Sequence, residues 1–409
     1  MINIDRLVYL ERKNMISHNQ NKITKISIAD IAAQAERAVK MVSDVRSRML
    51  APTSIKQSPI MSMTQLATLC GIDKSQVAYR VGKGDLPVGK LNETKSRREF
   101  SLKEARTWVR TYRKEHLRPS TGRAITLAIG NFKGGVSKTT TAMTLAQGLS
   151  LRGHKVLLVD TDPQGSLTTL FGILPDTDVA EMQTVAALAS GDASSIEDAI
   201  QSSYWDGIDL VAASPVLFSA EFMLPARQMK DPNFQFWDVL NLGLEDARDT
   251  YDVIIIDTPP SLSYLTINAF MAADGLIMPL PPNALDFASS AQFWSLFSDL
   301  ASNLVESSGL SKTFEFIHVL LARVDTADAA SSVVRSWIAA TYGEKLLPIE
   351  IPKTSVASAT AAEFGTVYDI GRYEGAAKTY KRARDAYDRV TDLIEQSIRA
   401  CWTYPTVKD

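Results

Sequence analysis

Residues 131–141 read N-F-K-G-G-V-S-K-T-T-T, and the fold follows from what flanks them. Residues 124–130 form a short apolar run of the kind that makes a buried strand. Residues 137–152 carry apolar side chains at helical spacing. A strand, a glycine turn and a helix opening on Lys-Thr is how a chain builds a phosphate cradle. The glycines let backbone N–H groups turn inward, the helix N-terminus adds partial positive charge, and a lysine reaches the outer phosphates. Lys138 is that lysine, and Thr139 supplies a hydroxyl suited to Mg²⁺. The stretch departs from G-x-x-x-x-G-K-[ST] in three places. Gly134 and Gly135 are adjacent, Ser137 stands where a glycine usually precedes the lysine, and Lys133 sits upstream as a second lysine.

Working outward, apolar β-branched runs recur at 155–159, 208–213, 252–256, 275–280 and 316–322, separated by helical stretches. The expected fold is α/β, a mostly parallel doubly wound P-loop sheet covered by helices on both faces. Two of these runs end in acids. L-L-V-D-T-D-P-Q-G-S (157–166) places Asp160 and Asp162 at one strand end, and V-I-I-I-D-T-P-P (253–260) places Asp257 at another. Ligands of a parallel sheet sit beyond the carboxyl ends of its strands, so all three segments should converge near the phosphates. One carboxylate there can hold Mg²⁺ and another can orient an attacking water. Residues 218–240 are irregular and suggest no role, and residues 375–401 read as a closing amphipathic helix.

The front of the chain has a different texture. Overall the 409 residues are 45% hydrophobic and 22% charged with a net charge of -2, the profile of a globular protein of two or three domains. Residues 1–124 hold 24 Lys/Arg against 11 Asp/Glu, and the remainder holds 20 against 35. A basic front on an acidic body points to a nucleic-acid-binding module attached to something else. Within it, residues 27–50 repeat apolar side chains at Ile28, Ile31, Ala35, Ala38, Val42, Val45 and Met49, a helical seam that favours dimerisation. Residues 64–70, Gly71 and residues 73–83 read as helix, turn and capped second helix. Lys74, Ser75, Gln76, Tyr79 and Arg80 on that helix suit base and phosphate contacts in a major groove. Lys95, Arg97 and Arg98 suit a basic wing beside it, and a further helix starts at Ser101 with Glu104. The expected organisation is a helix over 1–50, a winged helix-turn-helix over 51–118, a linker over 119–123, the P-loop domain over 124–401 and a tail. No run of about 18 apolar residues or signal-peptide core is present, and Cys70 and Cys401 lack metal-site spacing, which favours a reducing cytoplasm.

K-G-G-V-S-K-T with its extra lysine, D-T-D-P-Q-G-S and I-I-I-D-T-P-P together resemble the deviant-Walker ATPases, a group that includes ParA, MinD and the nitrogenase iron protein. An iron-protein role needs paired cysteines in this domain, where Cys401 is the only one. A MinD-like membrane role needs a basic amphipathic C-terminal helix, and residues 391–409 carry few basic side chains. The ParA partition proteins fit best. P-L-P-P-N-A-L-D-F-A-S-S (279–290) resembles the segment after the fifth strand of large ParA proteins, and Ile351-Pro352-Lys353 resembles the stretch near their adenine pocket.

The resemblance implies a site made of Lys133, Gly134, Gly135, Val136, Ser137, Lys138, Thr139, Thr140 and Pro352 for ATP. It implies Mg²⁺ on Thr139 with Asp257 behind it, Asp162 positioning the water, and Lys133 reaching the nucleotide of the other subunit in a sandwich homodimer. The expected activity is ATP-dependent DNA partition: non-specific DNA binding, hydrolysis stimulated by a ParB-type partner, and autorepression through operator DNA. Arg323 and Arg335 are candidates for the non-specific DNA surface. The alternative is a transcriptional repressor gated by nucleotide, in which hydrolysis is incidental. A filament former is a third class that nothing in the sequence requires.

Overall fold

The computed structural model describes residues 25–49, 56–308, 312–354, 365–370 and 377–403. The polar N-terminal segment, the proline break at 51–55 and the final tail residues 404–409 lie outside them. The chain divides into two compact units, Met1–Ser54 and Ile55–Asp409.

The first unit contributes helix α1, Ile28–Met49. It is capped as its sequence suggests: the Asp30 N–H donates to Ser27 Oγ at 3.2 Å, and the Ser27 N–H donates back to Asp30 Oδ2 at 2.8 Å. Ile28 and Ile31 of the apolar seam are exposed. The side chains of Val42, Val45 and Met49 lie outside the described residues.

The second unit opens with β1 (Met61–Ser62) and α2 (Met63–Cys70), then turns at Gly71, whose φ of +67° a side chain would resist. Helix α3 (Lys74–Lys83) follows, then the antiparallel hairpin β2 (Lys90–Leu91) and β3 (Arg98–Phe100), and α4 (Leu102–Tyr112). Leu66, Val77, Phe100 and Trp108 form the buried centre that holds three helices and a hairpin together. The Trp108 indole N–H satisfies itself on the Pro87 carbonyl at 2.8 Å.

The α/β body is an eight-stranded sheet in the order β11-β10-β9-β4-β8-β5-β7-β6. Its strands are β4 (Ile125–Ile129), β5 (Val156–Asp160), β6 (Gln201–Ser202), β7 (Ile208–Val211), β8 (Val253–Asp257), β9 (Gly275–Leu280), β10 (Phe316–Val324) and β11 (Leu346–Pro352). All neighbours are parallel except β6 on β7. Strands β4, β5, β8 and β9 are buried at every position, which is why they read as unbroken apolar runs. Alternate residues serve two cores: Leu127, Leu158 and Ile255 pack on one face, and Ala128, Val159 and Ile256 on the other. Helix α5 (Lys138–Leu151) lies beneath the C-terminal helix α6 (Ala377–Thr403). The two approach so closely that a Cβ on Gly148 would sit 2.4 Å from the Thr391 hydroxyl oxygen.

The basic front docks on this body through buried cations. Arg106 is 8% exposed, and its guanidinium meets Asp206 at 2.6 Å and the carbonyls of Ser150 and His154 at 3.0 and 2.8 Å. Arg113 meets Glu395 of α6 at 2.7 Å, and Arg118 meets Asp252 at 3.1 Å. Arg110 and Arg123 also pair with acids of the body. Part of the charge asymmetry in the sequence is therefore intramolecular docking rather than surface offered to a polyanion.

Candidate functional site

The strand register builds the site. Asp257 at the end of β8 lies opposite Ile129 on one side and Asp160 on the other, so the phosphate loop and two acids meet at one edge. The loop after β4 is tied down by Asn131, whose amide donates to the Pro279 carbonyl at 3.0 Å and whose Oδ1 accepts the Lys133 N–H at 3.1 Å. It then turns through left-handed geometry twice, at Gly135 (φ +74°) and Ser137 (φ +77°). Beyond it lies a cavity of about 630 Å³ lined by Gly134, Gly135, Ser137, Lys138, Thr139 and Thr140, with Asp162 and Pro352 opposite. Val136 is buried at 1% exposure and packs inward instead of lining it.

Lys138 is almost fully buried, and its ammonium donates to the Lys133 carbonyl at 3.0 Å. Burial pulls its pKa down, and the charges of Asp257 and Asp162 push it back up. Asp160 is fully buried but satisfied, accepting from the Thr168 N–H at 2.9 Å, the Thr168 hydroxyl at 2.8 Å and the Asp162 N–H at 3.1 Å. It holds the loop that carries Asp162. Asp162 itself is half-buried and accepts the Gln164 N–H at 3.0 Å.

Asp257 is different. It is completely buried, and neither carboxylate oxygen has a hydrogen bond of normal geometry among the described residues. Burial first, and then the neighbouring charge of Asp160, push its pKa well up, while the nearby Thr139 hydroxyl and Lys138 oppose that. An unsatisfied buried carboxylate beside a threonine hydroxyl is the donor set a hard divalent cation takes, directly or through water. Mg²⁺ therefore fits Thr139 and Asp257.

Lys133 does not line the cavity and instead forms an ion pair with Asp286 in the same chain. Asp286 is held in turn by Asn283. Nothing in the sequence singled out that acid for Lys133. The cavity also takes in Pro260 and Lys353, from the 253–260 and 351–353 stretches, and Arg323 and Tyr387, which motif reading did not place there. Arg323 faces the phosphate loop, and Arg335 pairs with Glu350.

In the front module Lys74, Ser75, Gln76 and Tyr79 are exposed on α3, although Gln76 also accepts the Asp73 N–H at 3.2 Å. Arg80 pairs with Asp85 at 2.9 Å. Lys95 and Arg97 project from the hairpin, whereas Arg98 is turned back onto the Val88 carbonyl at 2.6 Å. Among the described residues no group of three His, Cys, Asp or Glu could hold a metal, and no helix is long and apolar enough to cross a membrane.

A family profile described as an AAA domain matches residues 124–308. A putative replication protein A of Rhizobium rhizogenes is 34% identical over 284 residues, covering 68% of this chain and 70% of that protein. The chromosome partitioning protein ParA of Caulobacter vibrioides is 31% identical over 272 residues, covering 65% of this chain and 95% of that protein. Among solved structures, cobyrinic acid a,c-diamide synthase of Mycobacterium smegmatis with bound ATP analogue and magnesium is 28% identical. It superposes with a TM-score of 0.52 over 69% of this chain and 97% of that one.

Proposed function

This chain belongs to the ParA family of partition ATPases, and from that premise we propose that it is a DNA-partition protein switched by Mg·ATP. The observation that carries the reading is the buried, unsatisfied carboxylate of Asp257 beside Lys138 and Thr139, the residues that follow the phosphate loop. When bound, Mg²⁺ supplies charge neutralisation between the outer phosphates. Everything else falls to the protein. The loop N–H groups and Lys138 orient the polyphosphate, and Asp162, fixed by Asp160 through its backbone, positions the attacking water.

Lys133 is the conditional element. It leaves Asp286 to reach the nucleotide of a second subunit, so that hydrolysis requires a sandwich homodimer. ATP then holds the dimer on DNA non-specifically, and a ParB-type partner bound at a centromere stimulates its release. The front module binds operator DNA through α3 and the hairpin to repress its own operon. Its ion pairs to the ATPase body at Asp206, Asp252 and Glu395 give nucleotide state a route to operator affinity. The same contacts favour the second reading, a nucleotide-gated repressor.

Steady-state ATP hydrolysis, with and without duplex DNA and a ParB-type partner, tests the first reading. Slow turnover that rises several-fold with both, and is abolished in Lys138→Ala, supports a partition motor. Flat turnover alongside nucleotide-sensitive operator binding, unchanged in Lys133→Ala, supports the repressor.

A further inference from the structure

Arg323 sits near the end of β10 at φ +55°, a left-handed conformation that an L-residue holds only when its surroundings impose it. Three non-glycine residues have positive φ among the described residues, and two of them, Ser137 and Arg323, line the same cavity. The pairing of β10 with β11 shifts register between Leu321 and Val324, across this position. The irregularity turns the guanidinium away from the strand and onto the phosphate loop, where Nη1 donates to the Gly135 carbonyl at 2.6 Å. No acid among the described residues pairs with it. Asp325, two residues on, pairs with Lys353 instead, at 3.6 Å.

A strained cation aimed at a glycine carbonyl, with its remaining donors free beside a phosphate cavity, is more than a surface arginine. We propose that Arg323 is a further positioning residue of the nucleotide site. It fixes the left-handed turn at Gly135 through the carbonyl, and it keeps an uncompensated positive charge at the cavity mouth for a nucleoside polyphosphate. The proposal rests on the nucleotide-binding reading above. Its own content is that this strand irregularity is held for ligand binding. A guanidinium suits both tasks because its planar fork can hold a carbonyl and an anion at once, which an ammonium does less well.

The test uses the full chain and a fluorescent Mg·ATP analogue, titrated against wild type, Arg323→Ala, Arg323→Gly and Arg323→Lys, with Lys138→Ala as control. Urea midpoints are measured on the same samples. Arg323→Ala and Arg323→Gly should each weaken binding by about tenfold or more, the scale of a lost charge-assisted contact. Arg323→Lys should recover part of that loss. Arg323→Gly should be at least as stable to urea as Arg323→Ala, the reverse of their order in a relaxed backbone.

Wild-type affinity in Arg323→Ala, with Lys138→Ala impaired, overturns the proposal and leaves the nucleotide reading standing. A drop in stability without a change in affinity reduces Arg323 to a structural staple and also overturns it. Arg323→Gly less stable than Arg323→Ala removes the strain on which the argument stands. If wild type itself does not bind the analogue, the nucleotide reading falls and this proposal falls with it.

Discussion

Glu395→Gln removes one charge and almost no volume from the junction between the front module and the ATPase body. Glu395 is 4% exposed on α6, accepting Arg113 at 2.7 Å from the front module and touching the fully buried His154 ring at 2.7 Å. Burial alone would push this carboxyl up, but the His154 hydrogen bond and charge, with Arg113, hold it down at about 2. Two routes give the size of the effect. Removing one partner of a buried pair costs about 3–5 kcal/mol, because the other charge is left uncompensated. A carboxyl held at about 2 against an ordinary value near 4.5 stabilises the fold by about 3 kcal/mol at neutral pH. Both put the loss near 3 kcal/mol.

The sign follows from the depressed pKa. The stabilisation is complete above the ordinary carboxyl range and is lost as pH falls from about 4.5 toward 2. Urea unfolding of wild type and Glu395→Gln at pH 7 should therefore differ by about 3 kcal/mol, and the gap should narrow as pH is lowered below 4.5. A gap under about 1 kcal/mol at pH 7, or one that stays constant into acid, refutes the network as the rivet between the modules.

Three further outcomes are expected. Ser137→Gly relieves a left-handed φ of +77° and should raise stability in thermal melts by up to about 1 kcal/mol without loss of nucleotide affinity. Gly148→Ala forces a methyl into Thr391 at 2.4 Å and should lower the melting midpoint by the equivalent of about 1–3 kcal/mol. Asp286→Ala frees Lys133 from its intramolecular acid, so turnover in the presence of DNA should rise several-fold and be abolished again by adding Lys133→Ala. Unchanged turnover in Asp286→Ala would mean the ion pair places no restraint on Lys133.

The sheet was legible where burial makes the sequence monotonous. β4, β5, β8 and β9 are covered on both faces, so each is a continuous apolar run that ends where chemistry begins. β11 was not anticipated as a strand. It pairs on one side only and carries Pro348, Glu350 and Pro352, the marks of an edge rather than a core strand. The two residues of β6 are too short to leave any pattern. The front helices were legible through their caps, since Gly71, Asp73 with Gln76, and Ser101 with Glu104 act locally. The destination of the front's positive charge was not local. Whether an arginine meets Asp206 or a phosphate depends on docking, and composition counts both alike.

The site divides along the same line. Lys138, Asp162 and Asp257 could be picked out as candidates because each sits at a strand end or loop whose position the topology dictates. Asp286 and Arg323 are brought in by contacts that no spacing rule encodes. Arg323 is the sharper case. A strand read at period two sends successive side chains to opposite faces, and a shift of one residue reverses the assignment for everything beyond it. The register of β10 shifts between Leu321 and Val324. Arg323 is exposed, and period alone does not tell that its guanidinium turns to the phosphate loop. The same shift that hid its partner from sequence reading is what delivers the guanidinium to Gly135.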